Sequence, residues 1–162
     1  ITICIAYNMD ESFYVRHRGA KNNIFENNKS INGSIVCRDG ASYNTFKNCK
    51  DSAGACAIRF LDTVEDGGAN SSGHHNTFIN CLFKNKYTGI SYDPYSVASP
   101  ADSNLIANCR FENIRYLFRS SRENRGNKMI NCTILNVPNY KYGSFALNID
   151  QASSTFINSK NQ

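Results

Sequence analysis

The chain has 162 residues, a formal net charge of +5, seven cysteines and no tryptophan. That length suits one domain. No run of 18 apolar residues offers a transmembrane helix, and the modest positive charge suits an acidic partner without demanding one.

Residues 1–7 read as a strand, 8–12 as a turn and 13–16 as a second strand closed by Gly19. A first full turn of chain follows, made of 23–28, then 34–38, then the Asp39-Gly40 turn signal. The second runs from Asn44 through 55–60 into a long insertion, 62–75, which holds Gly67-Gly68 and ends on His74-His75. The third carries 89–92 and a loop over 93–103 with Pro94 and Pro100. The fourth carries 116–119 and a basic loop through Arg122 and Arg125, which is placed on a loop tip. The fifth carries 145–148 after the Tyr140-Lys141-Tyr142 loop.

These turns share a motif. N-T-F-I-N-C at Asn76 recurs as N-I-F-E-N-N at Asn23, N-T-F-K-N-C at Asn44, N-L-I-A-N-C at Asn104, N-K-M-I-N-C at Asn127 and S-T-F-I-N-S at Ser154. A unit this short cannot bury its own apolar face, so neighbouring copies must stack. Alternating β-branched and aromatic residues read as strand. The expected fold is all-β, a right-handed parallel β-helix of about six turns, a single domain over 1–162 and a segment of a longer β-helix. Phe46, Phe78, Ile106, Met129 and Phe156 should form one internal column. The second asparagine of each copy, at 27, 48, 80, 108, 131 and 158, should supply a left-handed bend and an amide ladder.

Cys49, Cys81, Cys109 and Cys132 each follow that second asparagine and read as stacked, buried thiols. Disulfides stay open for Cys4, Cys37 and Cys56, and the cysteine spacing matches no zinc motif.

Aligned on its apolar residue, the second strand of each turn gives a column of Val15, Cys37, Ile58, Ile90, Phe118 and Leu147. The next residues, Arg16, Arg38, Arg59, Ser91, Arg119 and Asn148, should then share the outer face, about 4.8 Å apart. Stacked like charges repel. Either acids such as Asp39, Asp62 and Asp93 pair with these arginines, or the column is a cationic track for an anionic polymer, since guanidinium forks grip carboxylates. Tyr87, Tyr92, Tyr95, Tyr140 and Tyr142 could stack on sugar rings. Candidate proton carriers are His17, His74 and His75. Arg59, Arg119, Tyr92, Tyr95 and His75 form the expected substrate-binding set.

The stretches E-S-F-Y-V-R-H-R-G-A-K-N-N (11–23) and I-V-C-R-D-G-A-S-Y-N-T-F (35–46) resemble right-handed parallel β-helix proteins of the pectin-lyase-like superfamily. Within it the chain looks most like polysaccharide lyases of the alginate lyase and chondroitinase B type. The resemblance implies a calcium ligand at Glu11, and at Arg16 and Arg38 the positions of that family's catalytic lysine and arginine. Because Arg16 stands where the family has lysine, and arginine holds its proton tightly, the general base would be His17. Arg38 would then neutralise a uronate carboxylate. The function expected is action on an acidic polysaccharide by β-elimination. The alternative is a non-catalytic glycan-binding module, adhesin, tailspike segment or structural fibre. The expected partner is the polysaccharide, not nucleic acid or a membrane, and the expected location is secreted or cell-surface. The oligomeric state stays open.

Overall fold

A computed structural model of the chain describes residues 4–62, 72–93, 101–121, 124–144 and 146–161. Several expectations fall outside these residues: the start of the first strand, most of the 62–75 insertion, the loop holding Tyr95, Arg122, and Phe145.

The described residues form strands and turns, without helix, in a parallel β solenoid. Three long parallel sheets run along it. The first has seven strands: Ile5–Tyr7, Lys29–Ile31, Lys50–Ser52, Leu82–Lys84, Arg110–Glu112, Thr133–Leu135 and Thr155–Ile157. The second has six: Phe13–Arg16, Ile35–Arg38, Cys56–Leu61, Thr88–Asp93, Tyr116–Ser120 and Asn139–Tyr142. The third has six: Ile24–Glu26, Thr45–Lys47, Thr77–Ile79, Leu105–Ala107, Asn127–Ile130 and Ile149–Asp150. Ala101–Asp102 and Asn124–Arg125 pair as a short extra ladder, so Arg125 sits on a strand and not on a loop tip.

Strands this short follow from the sequence. In Thr77–Ile79 the Phe78 ring points inward and is fully buried, while its two neighbours are partly exposed. The chain must then turn, and asparagine tolerates the left-handed conformation the corners need. Asn27, Asn48, Asn80, Asn108 and Asn131 have φ between 52° and 59° at the corner from third to first sheet. Asn8, Asn32, Asn85, Asn113 and Asn136 do the same at the corner from first to second.

Stacking identical coils stacks identical side chains. Phe25, Phe46 and Phe78 lie face to face with ring centroids 4.7 and 4.8 Å apart, and Ile106 and Met129 continue the column. Phe156 does not join it. Its strand pairs with Thr133–Leu135 of the first sheet, so Phe156 follows Ile134. The motif S-T-F-I-N-S therefore matches C-T-I-L-N-V at 132–137, not N-K-M-I-N-C at 127–132. Each coil contains two similar half-motifs, and the last copy belongs to the second. Ser154 accordingly replaces a cysteine, its Oγ accepting the Cys132 N–H at 3.3 Å.

The thiols of Cys49, Cys81, Cys109 and Cys132 are buried, and all seven cysteines are free, including Cys4, Cys37 and Cys56. Burial pushes the Cys37 thiol well up and the Cys56 thiol up to about 12.

A largely buried amide ladder runs through the first asparagine of each motif from Asn23 to Asn127. Asn158, the second asparagine of the last copy, joins a separate exposed ladder of corner asparagines by donating to Asn136 Oδ1 at 3.4 Å. Asn44 Oδ1 accepts from the Asn23 backbone N–H and side-chain amide. Asn76 Oδ1 does the same for Asn44, Asn104 for Asn76, and Asn127 for Asn104. Asn44, Asn76, Asn104 and Asn127 are all buried. Here the strand begins and its N–H would otherwise have no partner.

One charged pair interrupts the core. Asp51 holds an inward position between Ser30 and Phe83. Its Oδ1 lies 2.8 Å from Lys86 Nζ, and neither side chain has any exposure. Lys86 Nζ also donates to the Gly33 carbonyl.

Candidate functional site

The expected arginine column splits in two. Arg16 does lie beside Arg38. One coil on, however, Arg59 pairs with Val36, and Arg38 faces Leu61. The cause is a short corner: Ile35 comes three positions after the left-handed Asn32, whereas its partner Ile58 comes five after the left-handed Ala53. One outer column therefore reads Tyr14, Val36, Arg59, Ser91, Arg119 and Tyr142, and the other Arg16, Arg38, Leu61 and Asp93. Tyr142, not Asn148, follows Arg119.

Arg16 and Arg38 converge on the buried Asp39 carboxylate, with Nε–Oδ2 distances of 2.6 and 3.1 Å. Arg38 also stacks over the Tyr14 ring, 5.7 Å from its centroid. These guanidiniums hold the turn after the strand. His17 follows at φ 73°, exposed on the same turn.

Arg59 and Arg119 belong to a different place. A cleft of about 900 Å³ opens over the short corner, walled by Met9–Glu11, Asn32–Ser34 and Gly54–Cys56 at one side. Arg59, Ser91, Arg119, Tyr87 and Tyr142 line the rest. The backbone is close-packed at Gly33, where an added Cβ would fall 1.8 Å from Ser12 Oγ and 2.5 Å from the Met9 carbonyl. Arg59 faces Glu11 at 3.5 Å and Arg119 faces Asp93 at 3.1 Å, while Ser91 donates to Asp93. Glu11, implied as a calcium ligand, thus meets a guanidinium here. Beside the cleft, Tyr87, Tyr116 and Tyr142 form an aromatic ladder with centroids 5.4 Å apart at each step. Arg115 lies over both Tyr87 and Tyr116. Tyr87 and Tyr142 are about half exposed.

Tyr92 is no part of this surface. Its ring is fully buried and stacked on Phe60 with centroids 5.5 Å apart, because it continues the inward face of the second sheet. Burial pushes its hydroxyl pKa well up. A residue with no exposure cannot stack on a sugar, so its assignment to substrate binding is corrected.

His75 is also apart from the cleft, on the corner from second to third sheet. There His74, His75 and Asp102 gather, their candidate ligand atoms all within 4.8 Å of one another. Burial lowers the His74 pKa, the Asp102 charge opposes this, and His75 adds to it. Sequence reading named both histidines but missed Asp102. The signal was available: Ser42, His74 and Asp102 each stand two residues before a ladder asparagine, so stacking puts Asp102 next to His74.

No protein-family model matches the chain, and neither the curated proteins nor the solved structures yield a match.

Proposed function

We propose that this solenoid is a non-catalytic binding module for an extended acidic glycan, laid along the second sheet across the 900 Å³ cleft. The observation that carries the reading is the pairing of Arg59 and Arg119 with Tyr87 and Tyr142, the exposed ends of a tyrosine ladder, in one open cleft. The two arginines flank Ser91, two strand spacings or about 9.6 Å apart. They can therefore meet two carboxylates of one polymer. The Arg59–Glu11 pair is about one-third exposed, hence weak and exchangeable for a ligand carboxylate. Arg119, 44% exposed, keeps the largely buried Asp93 as partner and offers a ligand its remaining N–H groups. Tyr87 and Tyr142 offer flat apolar faces with a polar tip, the combination that suits sugar rings.

Binding is favoured over the expected β-elimination because the residues expected to carry that chemistry are not in the cleft: Arg16 and Arg38 are committed to Asp39, and His17 lies on the same turn. We further place the chain in the right-handed, pectin-lyase-like group that its sequence resembles, secreted or at a cell surface.

The test is titration of polymannuronate, polygalacturonate and a sulfated glycan. Arg59→Ala and Arg119→Ala should each weaken binding by about 1.5–3 kcal/mol, the worth of a charge-assisted hydrogen bond. Arg59→Lys should restore part of it, Arg38→Ala should change it little, and salt should weaken it steeply. Wild-type affinity in both alanine variants, or no binding of any acidic glycan at low salt, overturns the reading. Release of an unsaturated-sugar absorbance would replace it with the lyase.

A further inference from the structure

We propose that His74, His75 and Asp102 form a binding site for one divalent transition-metal ion of the zinc class, on the corner from the second sheet to the third. Consecutive residues of an extended chain point to opposite sides. His75 escapes this rule because it sits at the left-handed corner, with φ 52°. The two imidazoles therefore turn toward each other, and their Nδ1 atoms lie 2.9 Å apart. The third group comes from the next coil, with Asp102 Oδ1 3.9 Å from His75 Nδ1. Tetrahedral ligands bonded at about 2.0–2.2 Å lie roughly 3.3–3.5 Å from one another. Those two separations straddle that value, and all three ligand atoms lie within 4.8 Å of one another, so side-chain rotations can close the set on an ion.

The backbone under these groups is fixed from both sides. The His75 N–H donates to the Asp102 carbonyl at 3.0 Å. The His74 N–H donates to the Ala41 carbonyl at 3.2 Å, and the His74 carbonyl accepts from the buried Asn76 amide at 3.0 Å. The asparagine ladder that starts each strand thus also holds the two histidines in place. The Tyr43 ring packs against both imidazoles, 5.0 Å from His75 and 6.4 Å from His74.

Two nitrogens and one carboxylate oxygen suit zinc, nickel or copper, whereas calcium and magnesium seek oxygen alone. Three protein ligands leave a coordination position for water or a further ligand. The site is half open, with His75 at 41% and Asp102 at 38% side-chain exposure, so an ion can enter from solvent.

The experiment is calorimetric titration of Zn2+ into the untagged 162-residue chain carrying Cys4→Ser, which removes the exposed thiol as a competing ligand. One equivalent should bind. His75→Asn keeps a residue that tolerates the left-handed corner, and Asp102→Asn keeps shape while removing charge. Each should lower zinc affinity by about 10-fold or more, since even indirect partners of metal ligands are worth 10–100-fold. His17→Ala should leave it unchanged. In NMR spectra, zinc should shift the His74 and His75 ring signals and spare those of His17. Absence of zinc binding overturns the proposal, as does binding that survives Asp102→Asn and His75→Asn with equal affinity. If His75→Asn fails to fold, Asp102→Asn together with the ring signals decides.

Discussion

Replacing Lys86 with methionine should expose how much the buried Asp51–Lys86 pair matters. Both side chains have zero exposure and the charges lie 2.8 Å apart. At an effective dielectric of about 20, the lost attraction is roughly 6 kcal/mol. Removing one partner of such a pair usually costs about 3–5 kcal/mol, because the other stays buried and uncompensated. Asp51 is already strained in this sense. Its Oδ2 has no hydrogen-bond partner among the described residues, and burial, opposed by the Lys86 charge, pushes its pKa from 3.8 up to about 6. The shift also fixes the pH dependence. The folded pKa lies above the unfolded one, so the stability from protonating Asp51 is fully present below about pH 4 and is lost as pH rises through 6. Burial lowers the Lys86 pKa from 10.5. Without Lys86 the carboxyl should rise further and escape by taking a proton, so Lys86→Met should cost less at pH 5 than at pH 7. Asp51→Leu/Lys86→Met should recover most of the loss, as a neutral apolar pair fits the column beside Phe83. The assay is urea unfolding of wild type, the single variants and the double at both pH values. A cost under about 1 kcal/mol for Lys86→Met at pH 7, or a double variant as unstable as the single, would refute the buried ion pair.

Three further outcomes are expected. Asn76→Ala should destabilise by about 1–3 kcal/mol in urea unfolding, because it strips the Asn44 N–H of its acceptor in a buried setting; a surface-like cost of a few tenths would contradict the ladder. Phe78→Ala should cost about 3–5 kcal/mol by opening a cavity between Phe46 and Ile106, and thermal unfolding checks it. A thiol reagent should label Cys4 at once and the other six cysteines only after unfolding; mass spectrometry that finds Cys81 or Cys109 labelled in the native protein would contradict their burial.

Much of this architecture was legible from the chain alone. A motif with a period near one coil, apolar and polar residues alternating over three positions, and asparagine at fixed offsets specify stacked short strands. They do so because each signal is local: side-chain alternation and left-handed bends depend only on the residue and its neighbours. The buried thiols followed for the same reason, each cysteine coming right after a corner that turns it inward.

Register was not local, and only the tertiary structure decided it. Whether Arg59 stacks on Arg38 or on Val36 depends on how two corners of unequal length close against each other. Cutting two residues from the corner after Asn32 slides one strand past the next and keeps the faces unchanged. Hydrophobic alternation cannot detect a slip of two, because it preserves inside and outside. Phe156 went to the first sheet because the two half-motifs of a coil look alike, whereas the burial of Tyr92 was legible, since it stands two residues after the inward Ile90. The meeting of His74, His75 and Asp102 needed two facts at once: the left-handed corner that turns His75 back, and the stacking of two coils whose sequences are far apart. Composition and motif set what each coil looks like, while the lengths of the corners set which side chains of neighbouring coils can act together.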